Sequence, residues 1–411
     1  MKGDRKMDGI DPGGATSIPR VDADDGRGGS SQTKVVIFSA YFPSHGGGME
    51  LACADLAGAL HRAGMRVEWV SQADGEPGDQ PGIKYTPVTG TDFIYALSGV
   101  PLPIPMPWSI PAISRAINRA DVAIVAEANF ILSAISFLVA KWNRTPTLLI
   151  QHVGEPSTVS KLARFVMRIG EALVVRPMVR SADTVICVSP VVARHFARIR
   201  TKSDCLTIGH GLDLNMFRPS IDRAEKDEDR AALGLERDRR IAAFVGRLTE
   251  SKGVSIIAGM AARRPDWTFV IAGTGPIDPR LWNLANVKVL GHLGRDQVAK
   301  LYRASDVTVL PSPSESFSLV VREALAAGCR VLCSDQILET DAGLRPFIVT
   351  ERVDLGHPHE TAGRFAAALD RCPTAPASEA RAYVMEHCSP AHLFGRYIGL
   401  IEEMKRRGET P

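Results

Sequence analysis

Nowhere does the chain run to the 20 or so mostly apolar residues that a membrane-crossing helix needs. Its most apolar region, residues 122–140, is broken by Glu127 and Asn129 and reads as strand, turn and helix. Aromatic residues are scarce, at 6%. The net charge is only +3. A stacking platform for single strands and a strongly basic field are therefore both missing, and a nucleic-acid partner is not expected. Seven cysteines are present, an odd number, and none belongs to a Cys-x-x-Cys pair. They read as buried, reduced thiols rather than as zinc ligands or disulfides. Residues 1–32 lack the apolar stretch of a secretion signal. They are rich in Gly, Asp, Ser and Arg and read as a disordered leader. Together these absences point to a cytoplasmic globular protein.

The 411 residues exceed what one hydrophobic core usually serves, so two domains are expected. From residue 34 onward short β-branched runs alternate with helical spacing. Strands are expected at 34–40, 66–70, 122–126, 147–151 and 184–188, with helices at 49–63, 131–142, 161–180 and 191–200. The first helix should bury Leu51, Leu56 and Leu60 and stop at Gly64. A charged stretch at 220–240 carries a surface helix, and a second alternation follows. Its strands fall at 241–245, 268–272, 287–290, 307–310 and 330–334, and its helices at 254–262, 296–304 and 319–327. Such alternation implies parallel sheets covered on both faces. The expected layout is an α/β chain with a Rossmann-like unit at 33–217, a second at 218–388, and a last helix within 389–411 that crosses back onto the first unit.

Two segments of the second unit carry chemistry. GRLTESKG at 246–253 follows a buried strand, which puts Arg247 and Lys252 at the carboxyl edge of a parallel sheet, where ligands bind. An arginine fork and a lysine point charge suit a diphosphate. Residues 309–328 contain Glu315 and Glu323, separated by seven residues. If the helix starts at Ser316 or Phe317, its free N–H groups face the same edge. Carboxylates there can accept hydrogen bonds from sugar and ribose hydroxyls. Each motif alone also fits solvated charges on a loop and a helix.

In this order and spacing, the two motifs resemble the retaining GT-B glycosyltransferases of family 4, the group 1 glycosyl transferases. Those enzymes carry Gly-Arg-x4-Lys-Gly and Glu-x7-Glu in the C-terminal domain. Further matches are GGG at 46–48, QHVG at 151–154, GLDLNMFRP at 211–219, IAGTGP at 271–276 and VLGH at 289–292. The resemblance spans about residues 34–335. It implies a GT-B architecture, two Rossmann-like domains facing an interdomain cleft. It also implies a nucleotide-sugar donor, a saccharide or lipid-linked acceptor, retention at the anomeric carbon, and no metal or other cofactor; no Asp-x-Asp motif sits at a plausible donor loop. Residue by residue, Arg247 and Lys252 would hold the diphosphate, Glu315 the transferred sugar and Glu323 the ribose. His152 would lie near the sugar. Gly47, Gly48, Gly246, Gly273, His292 and the segment Phe317, Ser318, Leu319 and Val320 would complete the donor site. The chain departs from the family at Ser318, where glycine is usual, at His210, where asparagine is common, at Cys329 and Arg330, and in lacking a Gly-Gly element between 335 and 343.

The first unit should select the acceptor, with Glu127 and Asn129 as candidate contacts; loop capping is the other reading of both. Residues 161–202 hold nine basic residues against Glu171 and Asp183, a local balance of +7 (9 − 2). Leu162, Phe165, Val166, Ile169 and Leu173 share a helical face there, a pattern suited to an anionic membrane surface or to an ordinary sheet-covering helix. The proline-rich run 98–108 suits a lipid-linked acceptor or simple packing. The competing functions are a glycogen-type phosphorylase, a sugar-nucleotide epimerase, a nicotinamide dehydrogenase and a non-catalytic sugar- or lipid-binding scaffold. The dehydrogenase needs Gly-x-Gly-x-x-Gly at its first crossover, which residues 46–51 do not provide.

Overall fold

The computed structural model describes residues 32–45, 47–72, 77–91, 103–154, 168–200, 204–371 and 373–409. The expected leader, the start of the 161–202 segment, residues 98–102, Gly46 and Cys372 lie outside them. Residues 32–411 form one compact unit.

Fifteen strands are described. In chain order they are β1 Lys34–Phe38, β2 Arg66–Gln72, β3 Ile83–Val88, β4 Gly90–Thr91, β5 Ile104–Pro105, β6 Val122–Ala126, β7 Thr147–Gln151, β8 Thr184–Cys187, β9 Leu206–Thr207, β10 Arg240–Val245, β11 Trp267–Ala272, β12 Val287–Gly291, β13 Val307–Leu310, β14 Arg330–Ser334 and β15 Val349–Glu351. They make a seven-stranded sheet in the order β3-β2-β1-β6-β7-β8-β9, a six-stranded sheet in the order β12-β11-β10-β13-β14-β15, and a β4-β5 pair. Every pairing in the two large sheets is parallel. Both sheets are doubly wound, with the order reversing between β1 and β6 and again between β10 and β13. At such a reversal the crossover connections leave to opposite faces and open a crevice at the carboxyl ends of the strands.

The local causes are visible in the side chains. β1, β6, β7, β10, β11 and β13 are runs of buried Val, Ile, Leu, Ala and Phe, as strands covered on both faces require. The first helix, Gly48–Arg62, buries Leu56 and Leu60 and ends before Gly64 at φ +85°, but Leu51 stays partly exposed. The C-terminal helix, Pro390–Glu409, lies against the first half: Arg396 Nη1 donates to the Thr207 carbonyl at 3.1 Å, and Leu393, Tyr397 and Ile401 are buried.

Several elements differ from the sequence expectation. β3 escapes the alternation rule because it is an edge strand that tolerates Pro87. Residues 104–105, inside the proline-rich run, form β5, paired antiparallel with β4. The helices Ile110–Asn118, Pro358–Ala368 and Ala377–His387 are also additional. The expected helix 161–180 is described only from residue 168. It passes through a π turn at Glu171–Val175 into a short helix at Arg176–Ser181. Pro177 has no N–H for the α ladder there, and the wider turn accommodates it. The apolar face does not cover the sheet: Ile169 is 44% exposed and Leu173 is 72% exposed. Nor is the basic stretch uniformly solvated. Arg200 is buried and donates to the carbonyls of Val179, Ala182 and Asp183.

At the edge of the second sheet, Gly273 has φ +137° and follows β11 so closely beside β10 that a Cβ would collide with the Gly246 carbonyl. Gly273→Ala should therefore destabilise the chain by roughly 1–3 kcal/mol, the cost of a side chain in a sparsely populated backbone region. Urea unfolding of the variant against the wild type measures this.

Candidate functional site

The loops at the β10/β13 reversal bring the sequence candidates together. Gly246 N donates to the Ala272 carbonyl at 3.0 Å and Gly273 N to the Gly291 carbonyl at 2.7 Å. The ends of β10, β11 and β12 thus lie side by side, with His292 next in line and exposed. The loop after β10 leans on the loop after β13, where Ser312 Oγ donates to the Ser251 carbonyl at 3.4 Å. In this way Lys252 Nζ reaches Glu315 Oε1 at 2.6 Å, 63 residues away in sequence. Arg247 projects from the same loop, exposed and without an ion pair among the described residues. Three cations or carboxylates of the two motifs therefore share one edge, two of them neutralising each other.

The helix after Glu315 begins at Leu319, as the 319–327 expectation has it rather than at Ser316 or Phe317, and runs to Ala326. Ser318 caps it in the left-handed region, φ 52° and ψ 83°. That conformation explains why glycine is usual at this position: a Cβ is strained there. Ser318 Oγ is buried without a hydrogen-bond partner, and Phe317 is buried under the Arg322 guanidinium at 3.8 Å from its ring centre. Leu319 and Val320 are partly buried. A Cβ added to Gly48, at the start of the first helix, would touch Leu319 Cδ1 at 3.9 Å. The starts of these two helices, one from each half, therefore lie close together. Beside Gly48, a Cβ on Gly47 would displace the buried Glu50 carboxylate.

Glu323 sits one turn into this helix, where it accepts from Tyr302 Oη at 3.2 Å. Burial pushes its carboxyl up to about 7, while the Arg295 charge and the Tyr302 hydrogen bond pull the other way and Asp55 adds to the rise. Three groups around it, Asp55, Arg295 and Tyr302, were not foreseen. They come from positions outside the motifs, and only packing brings them to Glu323.

On the first half, Glu127 and Asn129 follow β6 at the other reversal. Glu127 has φ +66° and is 2% exposed. Its Oε2 accepts from the backbone N–H groups of His152 and Val153, each at 2.9 Å, and Asn129 Nδ2 donates to Oε1. Burial pushes its carboxyl up to about 7 against these hydrogen bonds. The carboxylate is thus enclosed and holds the His152 loop, an arrangement that fits the capping reading. Asn129 is exposed but is tied to Glu127.

His152 is buried, with Nδ1 unpartnered. Its ring stacks on His210 at 5.2 Å and 12°, and His210 meets the Phe317 ring edge-on at 5.0 Å and 81°. One column of rings therefore runs from β7 through the crossover between the halves to the donor-side loop. Below it, a cavity of about 20 Å³ is lined by Asp55, His152, His210 and Tyr397, room for about one water. Burial drives His152 well below the usual imidazole range, and His210 adds to this. Burial, with the Arg322 charge behind it, pushes His210 down to about 4.

A folded-state value of about 4 against an unfolded one of about 6.5 means that the unfolded chain takes up the proton first as pH falls. The contribution of His210 is therefore complete above pH 6.5 and is lost between 6.5 and 4. Glu127 and Glu323, raised to about 7, have the opposite slope, so the comparison must be between variants. His210→Asn should flatten the loss of melting temperature between pH 7 and pH 4.5 relative to the wild type. Equal slopes in paired thermal melts would contradict the neutral-imidazole assignment.

Two family models match the chain: "Glycosyltransferase Family 4" at residues 46–216 and "Glycosyl transferases group 1" at residues 225–340. D-inositol 3-phosphate glycosyltransferase of Mycobacterium leprae (strain Br4923) is 36% identical over 171 residues, 38% of this chain and 39% of that protein. The same-named protein of Mycolicibacterium gilvum is 38% identical over 165 residues, 36% of this chain and 35% of that protein. The matched stretch thus spans under two fifths of the length of these relatives. Among solved structures, sucrose-phosphate synthase from Thermosynechococcus elongatus superposes with a TM-score of 0.69 at 19% identity, covering 91% of this chain and 99% of that one. HepE of Anabaena, in complex with UDP-glucose, gives 0.70 at 18% identity, covering 90% and 100%. These likenesses establish the GT-B fold. With both family models in place on the two doubly wound halves, the chain belongs to the family 4, group 1 glycosyltransferases, a family of transferase enzymes.

Proposed function

We propose that the protein transfers a hexose, with retention, from a nucleoside-diphosphate sugar to a hydroxyl of a saccharide or lipid-linked acceptor in cell-envelope or exopolysaccharide synthesis. The observation that carries this reading is the β10/β13 reversal, where Arg247, Lys252, Glu315 and an N-terminal helix end share one edge. The bound donors in the HepE structures, UDP and UDP-glucose, support a nucleotide-sugar donor. The base and sugar of the present chain, GDP-mannose or a UDP-hexose, are choices within that class.

The chemistry follows from charge. When the bond from the anomeric carbon to the diphosphate breaks, negative charge develops on the leaving phosphate. Arg247, Lys252 and the N–H groups at Ser318, Leu319 and Val320 are arranged to stabilise it, with no metal or other cofactor in this scheme. Lys252 is paired with Glu315 before the donor arrives. A diphosphate would draw Lys252 to itself and leave Glu315 to accept from sugar hydroxyls. Glu323, Gly246, Gly273 and His292 flank the nucleoside. The two helix N-termini at Gly48 and Leu319 bracket the phosphates, with Gly47 letting backbone approach. His152, kept neutral by burial, lies near the transferred sugar in this scheme. Glu127 positions the His152 loop, and with Asn129 it marks the acceptor side of the site. Residues 33–217 form the acceptor domain, 218–388 the donor domain and 389–411 the returning helix.

On the acceptor side, Ile169, Leu173 and Val174 are exposed next to Arg168 and Arg176, an apolar and cationic pairing suited to an anionic lipid surface. No described helix is long and apolar enough to cross a membrane. Peripheral attachment on the cytoplasmic face accounts for both facts.

Thermal-shift measurements with UDP, GDP, ADP, CMP and NAD test the donor site. One nucleoside diphosphate at 100 times its dissociation constant should stabilise the wild type by about 2.7 kcal/mol. Arg247→Ala should keep the fold, lose that shift and cut turnover by about 100-fold or more, as for a lost transition-state donor. A shift with NAD alone, or full turnover by the variant, would refute the reading. For the lipid surface, Leu173→Glu should reduce co-sedimentation with vesicles containing phosphatidylglycerol while leaving nucleotide binding intact; unchanged sedimentation would remove that part of the proposal.

A further inference from the structure

A guanidinium of the donor half pairs with a carboxylate of the acceptor half. Arg295 Nη1 lies 3.2 and 3.3 Å from the two carboxylate oxygens of Asp55. Asp55 belongs to the first helix, Gly48–Arg62, on the acceptor half; Arg295 opens the helix Arg295–Ala304 on the donor half. Both side chains are about one-third exposed, 30% and 32%. The guanidinium also lies 6.0 Å from the ring centre of Phe217, at the crossover between the halves.

Arg295 and Tyr302 are seven residues apart, two helical turns, and so lie on one face. Tyr302 donates to Glu323, and the same Glu323 lies in the field of Arg295 and of Asp55. One helix face thus carries both the Arg295–Asp55 pair and the Tyr302–Glu323 hydrogen bond. Asp55 is raised above the usual carboxylate range by burial; Arg295 and Arg62 oppose this, and Asp213 adds to it. Arg295 opposes the rise at both acids, yet its hydrogen bonds go to Asp55.

The donor-site reading gives Glu323 the ribose hydroxyls. Hydroxyls that donate to a carboxylate favour its charged form. A charged Glu323 then draws on a cation on this helix face, and Arg295, two turns before Tyr302, is held by Asp55. We propose that Arg295 is a positioning residue of the donor site kept in reserve by Asp55, so that the cross-cleft pair and the donor-engaged Glu323 compete for one guanidinium. Donor binding therefore loosens this contact between the halves, and the contact weakens donor binding by the same factor, since linkage is reciprocal. The acceptor half carries a brake on the nucleotide site without touching the nucleotide. The proposal rests on the donor-site reading above.

Isothermal titration with UDP and with GDP tests it, using the wild type, Asp55→Asn, Arg295→Ala, Arg295→Lys and the double variant Asp55→Asn/Arg295→Ala. Asp55→Asn should tighten nucleotide binding by about fivefold, the lower end of ordinary coupling between sites. Arg295→Ala should weaken it, Arg295→Lys should recover part of the loss, and Asp55→Asn should have a clearly smaller effect in the Arg295→Ala background, where only the direct repulsion between Asp55 and Glu323 is relieved. A lost fold cannot produce tighter binding, so the Asp55→Asn result stands apart from stability. Unchanged or weaker binding by Asp55→Asn, or equal tightening with Arg295 absent, overturns the proposal. Arg247→Ala in the same series separates the two readings: if it binds nucleotide like the wild type, the donor site itself is misplaced. If it loses binding while Asp55→Asn does nothing, only the reserve role of Arg295 falls.

Discussion

Parallel strand pairing is the constraint from which the rest of this molecule follows. A parallel sheet needs a crossover for each new strand, and the crossovers cover both faces with helices. Neither face is left for chemistry, so functional groups collect at the strand ends. The reversal of strand order decides which ends matter, because there neighbouring loops part and leave a crevice. In the second half that crevice lies between β10 and β13, and it holds the Arg247–Lys252 loop and the Glu315 loop. In the first half it lies between β1 and β6, and it holds the start of the first helix and the Glu127 turn.

Placing the two crevices opposite each other creates interactions that neither half has alone. The starts of the helices at Gly48 and Leu319, one from each half, come close together. The rings of His152, His210 and Phe317 stack through the crossover, so a donor-side loop and an acceptor-side loop share one rigid column. The column also explains why His210 suits this chain in a position where asparagine is common. A neutral imidazole fills the space between two rings, and its low proton affinity keeps charge out of the stack. The Asp55–Arg295 pair joins the halves by a different force, one that responds to a ligand because its charges are only partly shielded from water.

Much of the fold was legible because buried parallel strands write a strong signal. The β-branched runs at β6, β7, β13 and β14 and the helix Ile131–Trp142 lie where the apolar pattern puts them. Edge and late elements were not legible. β3 carries a proline and mixed polarity, and the helices Pro358–Ala368 and Ala377–His387 have no motif to mark them. The segment around residues 168–181 misled for a definite reason: Pro177 and a π turn shift the helical phase, so the apolar positions do not face the sheet as a regular helix would turn them.

Residue types and spacing by themselves determined the α/β class, the two-half organisation and the family, because these depend on local periodicity and on motifs within single loops. Arg247, Lys252, Glu315 and Glu323 could be named for the same reason. Tertiary structure alone decided that Lys252 and Glu315 neutralise each other, that the Glu127 carboxylate turns inward to hold the His152 loop, and that Ser318 adopts a left-handed conformation. It alone brought Asp55, Arg295 and Tyr302 to Glu323. Those contacts join residues up to 240 positions apart. Their energies depend on distance and burial, and neither quantity is carried by the order of residues along the chain.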